Sequence, residues 1–150
     1  MNVVCVQLDS VWENKKANHD KVLKLIDAAK PKADSLVVLP EMFASGFSMN
    51  VEASHDENGE TANFMAQTAR DFGIYLMGGI VTKAQSGKGR NECVVFSPNG
   101  EEYARYHKIH PFTLGGELDH YEAGKNVVLF SLGEFTVSPF ICYDLRFPEI

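Results

Sequence analysis

Three short β-branched runs, separated by two helix-length segments, constrain the fold more than any other feature. Residues 3–8 (VVCVQL), 35–39 (SLVVL) and 74–81 (IYLMGGIV) are apolar stretches of strand length. Runs of this kind read as strands buried on both faces. Residues 14–30 lie between the first two and end at Pro31; Val22, Leu25, Ile26 and Ala29 define an apolar helical face. Residues 61–72 precede the third, with Phe64, Met65, Thr68, Ala69 and Phe72 at helical spacing and Gly73 as C-cap. Residues 42–59 read as irregular. The β-α-β-α-β order predicts an α/β layered fold with parallel pairing. Hairpin signals follow. Residues 92–97 and 101–106 are strands joined at Pro98-Asn99-Gly100, after a polar loop at 83–90. Residues 107–124 form a long loop, and 126–132 pairs with 135–141 about Gly133-Glu134. The sheet is therefore expected to be mixed. Gly78-Gly79 lacks the spacing of a nucleotide-binding loop.

Composition narrows the function classes. Fourteen basic and twenty acidic residues give a net charge of −6. That balance argues against nucleic-acid partners. No apolar run reaches membrane-spanning length and the first residues do not read as a signal peptide, so no membrane partner is expected. Three widely spaced cysteines (Cys5, Cys93, Cys142) fit a reducing compartment, and a cytoplasmic protein is expected. No Cys/His set has metal-ligand spacing, so neither metal nor cofactor is implied.

Three polar groups stand at the ends of apolar segments: Glu41, Lys108 and Cys142. A thiol becomes a nucleophile when a neighbouring base takes its proton, and a fixed cation stabilises an oxyanion. Together they suit acyl transfer. Each also has a plainer reading: a buried small thiol, a helix-terminal carboxylate, a solvated lysine. Cys5 and Cys93 lie within apolar strands and read as core thiols. His107 and His110 flank Lys108 and read as structural. Asp144 and Arg146 are read first as a buried ion pair holding the turn, with Arg146 as an anchor for a substrate carboxylate and a catalytic role as the other readings. Phe43 and Phe47 either line the pocket or pack.

The strings PEMFASGF around Glu41, YHKIHPF around Lys108 and ICYDLRFPE around Cys142 resemble the three signature motifs of the nitrilase superfamily of carbon–nitrogen hydrolases. They occur in the family's order, and the resemblance spans essentially the whole chain. PEMFASGFSM with GGELDHYEAG is most similar to the omega-amidase branch, which acts on 2-oxo dicarboxylate monoamides such as 2-oxoglutaramate. The resemblance implies an α-β-β-α sandwich. It also implies that residues 1–150 are the N-terminal portion of a single hydrolase domain whose C-terminal part is missing. It assigns Cys142 as nucleophile, Glu41 as base and Lys108 as oxyanion stabiliser, the last assisted by the Tyr143 N–H and oriented by Glu117. Phe47 and Arg146 become substrate-binding candidates. The expected partner is a small amide, and the expected assembly a homodimer or larger homo-oligomer. The alternatives are an N-carbamoyl or other amide hydrolase of the same superfamily, a non-catalytic α/β binding module, and an inactive fragment.

Overall fold

The computed structural model describes residues 1–150. Its frame is one mixed sheet. β1 (Val3–Cys5) leads into α1 (Lys15–Ala29), then β2 (Leu36–Val38), α2 (Val51–Ser54), α3 (Glu60–Phe72) and β3 (Tyr75–Lys83). β4 (Gly89–Phe96) and β5 (Glu102–His107) follow as a meander. β1, β2 and β3 pair in parallel, and β3, β4 and β5 pair antiparallel. The parallel pairs are those whose connections contain helices, as crossover geometry requires. α4 (Glu117–His120) and β6 (Tyr121–Glu122) lie inside the expected long loop, and β6 adds to the start of β4. β7 (Phe130–Leu132) and β8 (Phe135–Val137) form a separate hairpin turned at Gly133, which has φ 60°.

Both long helices pack on one face of the sheet. Val37, Leu76, Ile80, Val94 and Phe96 point toward them and meet Val22, Ile26, Met65 and Ala69 in the main core. The opposite face carries Leu36 and Val95, covered by Phe130 and Leu132 of the hairpin. The alternation of Leu36, Val37 and Val38 between the two faces follows from the two-residue period of a strand.

Local chemistry sets the helix ends. The Asn14 side chain accepts from Ala17 N–H, and Lys30 ends α1 in the left-handed region. Asp56 accepts from the N–H groups of Thr61 and Ala62 at 2.7 and 3.0 Å and caps α3. The buried stripe of α1 differs from the expected one. It runs through Asn18, His19, Val22 and Ile26, while Leu25 and Ala29 face solvent. Asn18 is drawn inward because its amide donates to Val11 O and Ala44 O and accepts from Val11 N–H. Cys5 is a second correction. It is exposed, because β1 is an edge strand whose second face is uncovered. Cys93 is buried, and burial alone pushes its thiol up to about 12.

His19 lies stacked on Phe64 at 4.1 Å between ring centroids, with no hydrogen-bond partner for Nε2. Burial holds its pKa below the ordinary value, against the opposing carboxylates of Glu60, Asp56 and Asp20. The unfolded chain therefore binds the proton more readily, so stability should fall as pH drops below about 6.5. Urea midpoints at pH 7.5 and pH 5.5 should differ less in His19→Phe than in the parent. An equal difference in both would remove His19 as the cause.

Candidate active site

Three loops at one end of the sheet bring the polar groups together. Glu41 begins the turn after β2, Lys108 follows β5, and Cys142 opens a short 3-10 turn (Cys142–Arg146) beyond β8. Glu41 is in a tight turn, so the helix-terminal reading does not hold. Cys142 does not directly follow a strand either: β8 ends at Val137.

Lys108 is fully buried, and its Nζ donates to Glu41 Oε1 at 2.7 Å and to Glu117 Oε2 at 2.8 Å. Burial acts to lower the lysine pKa, but the hydrogen bonds and charges of Glu117 and Glu41 outweigh it and the net shift is upward. The ammonium is therefore retained. Glu117 is also fully buried and accepts from Phe112 N–H at 2.5 Å, which fixes it behind the lysine. Glu41 keeps some solvent access, with 18% of its side chain exposed. Phe47 lies 5.3 Å from Lys108 Nζ, a cation–π distance. Phe43 instead packs in the main core.

Cys142 shares a cavity of about 100 Å³ with Glu41, Gly79, Cys93 and Ile141. Partial desolvation of this exposed residue's thiol and the neighbouring Glu41 carboxylate push its pKa up, and Lys108 only partly opposes them. The thiol is thus neutral near pH 7, and a nucleophilic step needs a base at the moment of attack. Glu41 is the carboxylate that lines the same cavity. Cys142 has φ 47° and Met42, next to Glu41, also has φ 47°. Strained backbone of this kind gathers where surrounding structure holds a side chain in place.

Asp144 anchors the cysteine turn. Its buried carboxylate accepts from Tyr106 Oη at 2.7 Å, from His110 N at 2.9 Å and Nδ1 at 3.0 Å, and from Ile141 N at 3.0 Å. The expected Asp144–Arg146 ion pair is absent: the aspartate's contacts are all of this kind, and Arg146 is exposed. Arg146 instead lines an open cavity of about 830 Å³ with Cys142, Tyr143, Phe112 and Phe147. His107 Nε2 lies 2.8 Å from Glu122 O, so both histidines hold loops rather than the thiol. Across the ends of the cysteine turn, Asp144 N–H donates to Ile141 O and Phe147 N–H to Asp144 O.

Two glycines permit this assembly. A Cβ on Gly79 would overlap the backbone of Glu41 and Met42, and one on Gly124 would overlap the His107 carbonyl. Gly79→Ala should therefore displace the Glu41 turn and cost about 1–3 kcal/mol by overpacking. Urea unfolding checks this, and a parent-like midpoint would contradict it. Asn91 also belongs to the cluster, donating to both glutamates, and sequence reasoning missed it. No group of three or more His, Cys, Asp or Glu side chains converges as a metal site. No helix is long and apolar enough to cross a membrane.

A mixed α/β sheet that gathers a thiol, a carboxylate and a caged lysine has the layout of a cysteine-dependent acyl-transfer site. The carbon-nitrogen hydrolase family matches residues 2–150, and the chain belongs to that family. It is 34% identical over 145 residues to omega-amidase NIT2-B of Xenopus laevis, covering 91% of this chain and 52% of that protein. It is 30% identical over 149 residues to the 2-oxoglutaramate amidase of Bacillus subtilis, covering 98% of this chain and 57% of that one. Its fold matches XC1258 of Xanthomonas campestris, a CN-hydrolase superfamily protein with an arsenic adduct in its active site. The TM-score is 0.89 at 29% identity, over 98% of this chain and 55% of the other. The chain spans about half the length of the curated relatives it matches.

Proposed function

We propose that this chain carries the reactive centre of a thiol amidohydrolase that releases ammonia from a small carboxylated amide. The observation that carries the reading is Lys108 caged between Glu41 and Glu117 with Cys142 in the adjoining cavity. Cys142 Sγ attacks the amide carbonyl carbon as Glu41 takes the thiol proton. The carbonyl oxygen becomes an oxyanion beside Lys108 Nζ and the Tyr143 N–H. Collapse breaks the C–N bond, and Glu41 returns the proton to the departing nitrogen, so ammonia leaves and a thioester remains on Cys142. Glu41 then takes a proton from water, whose oxygen attacks the thioester. The carboxylic acid departs and the thiol is restored. One oxyanion donor is worth ~10²–10³ in rate, which gives a fixed ammonium its value.

The similarity to omega-amidases supports a 2-oxo dicarboxylate monoamide as substrate. Arg146, exposed at the rim of the larger cavity and in no ion pair, is the group to hold the distal carboxylate. Phe47 shields Lys108 from the side. Ammonia release from 2-oxoglutaramate, 2-oxosuccinamate and glutamine tests the reading. Release from the oxo-amides that is at least tenfold faster than from glutamine supports it. Equal rates would remove the oxo-acid assignment. Carbon dioxide released with ammonia from an N-carbamoyl compound, with the oxo-amides inert, would move the chain to carbamoyl chemistry.

A further inference from the structure

Asn91 is a polar side chain at the site to which the proposed steps give no part. It sits on β4 and is 1% exposed. Its Nδ2 donates to Glu41 Oε1 at 2.7 Å and to Glu117 Oε1 at 2.9 Å. Its backbone carbonyl accepts from Lys108 N–H at 3.0 Å. Its Oδ1 has no partner. Turning the amide over would set that oxygen against two carboxylates that already accept from Lys108, so the carboxylates enforce the orientation. The unpartnered buried oxygen is a cost accepted to place one nitrogen between two acids.

We infer that Asn91 is a positioning residue for the catalytic glutamate. By donating to both acids at once it holds Glu41 and Glu117 on either side of the Lys108 ammonium and keeps Glu41 turned toward Cys142. The inference rests on the amidohydrolase reading above. Only a neutral primary amide of this length gives two donors from one atom without adding charge. Aspartate in its place has no donor and brings a third negative charge. Leucine fills the space with neither.

The groups around it come from five elements. Glu41 belongs to the turn after β2, Lys108 follows β5, Glu117 is on α4, and Cys142 is in the 3-10 turn. The fifth is Tyr121 on β6, whose phenol burial pushes up to about 12, with Glu117 and Glu41 adding to the shift. Neighbouring Glu92 is engaged elsewhere, with Thr82 and Arg105. Protons bind to this set as a unit, so the acid limb of a rate profile belongs to the cluster.

The test is the pH dependence of Cys142 alkylation by iodoacetamide, followed by peptide mass spectrometry with exposed Cys5 as internal reference. It compares the parent chain with Asn91→Asp, Asn91→Leu and Glu41→Gln. In Asn91→Asp the acid limb should move up by about one pH unit, and the rate at pH 7 should fall about tenfold relative to Cys5. In Asn91→Leu the rate should fall by a similar factor. If Asn91→Leu fails to fold by circular dichroism, Asn91→Asp alone decides. A merely structural asparagine would lower the melting temperature and leave the acid limb in place, and that result overturns the inference. If Glu41→Gln slows alkylation while both Asn91 variants match the parent, the inference fails and the reading of Glu41 as base stands. If Glu41→Gln matches the parent, that reading fails and takes the inference with it.

Discussion

Cys142→Ala should reduce amide hydrolysis to the buffer rate, a loss of about 10⁴-fold or more, while leaving the fold in place. The size follows from the chemistry. Without Sγ no thioester forms, and the remaining groups can only orient a substrate and stabilise charge. The fold should survive because Cys142 is exposed and its turn is held by Asp144. A companion variant separates chemistry from stability. Cys142 has φ 47°, a region that costs an L-residue ~1–2 kcal/mol and glycine almost nothing. Cys142→Gly should be as inactive as Cys142→Ala and unfold at a higher urea concentration. A Cys142→Gly variant less stable than Cys142→Ala would show that the turn is not strained by its nucleophile.

Lys108→Met should have the largest effect on stability. Two carboxylates share one fully buried ammonium. Removing it leaves Glu41 and Glu117 facing each other, and breaking a buried pair in this way costs ~3–5 kcal/mol. For a chain of this size that is roughly 10 °C in melting temperature. Adding Glu117→Gln to Lys108→Met should recover part of the loss by discharging one acid, although activity should stay down. The folded-state pKa of Lys108 is raised, so its contribution is fully present below about 10.5 and is lost only as pH rises through the folded value. In Lys108→Met the two facing acids take up a proton more readily as pH falls, so the stability gap to the parent should be larger at pH 9 than at pH 6. A gap that shrinks as pH rises from 6 to 9 would contradict the cage.

Much of this architecture could be read from residue order. The apolar runs around Leu36, Tyr75 and Val94 were legible as strands because burial on both faces leaves an unbroken apolar string. Gly73 and Pro31 were legible as helix punctuation because one residue carries the signal. The gathering of Glu41, Lys108 and Cys142 was not legible from spacing. Glu41 and Lys108 are 67 positions apart, and only the motif strings pointed to a meeting. Asn91 stayed hidden because it stands one residue before the expected strand start and reads locally as a polar break. Its partners are 50 and 26 positions away. The Asp144–Arg146 pair failed because neighbouring opposite charges suggest a bond, whereas Tyr106 and His110, brought in by β5, compete for the aspartate. Cys5 was misplaced because an apolar run does not reveal that its strand lies at a sheet edge.

The proposed hydrolysis requires Cys142 to carry the acyl group during turnover. The direct measurement is rapid-quench mass spectrometry of the chain mixed with 2-oxoglutaramate at acid-stopped time points. A transient mass gain equal to the acyl group, mapped to the Cys142 peptide and absent from Cys142→Ala, is expected. Ammonia release that continues in Cys142→Ala, or an adduct on Cys5 or Cys93 in place of Cys142, would contradict it.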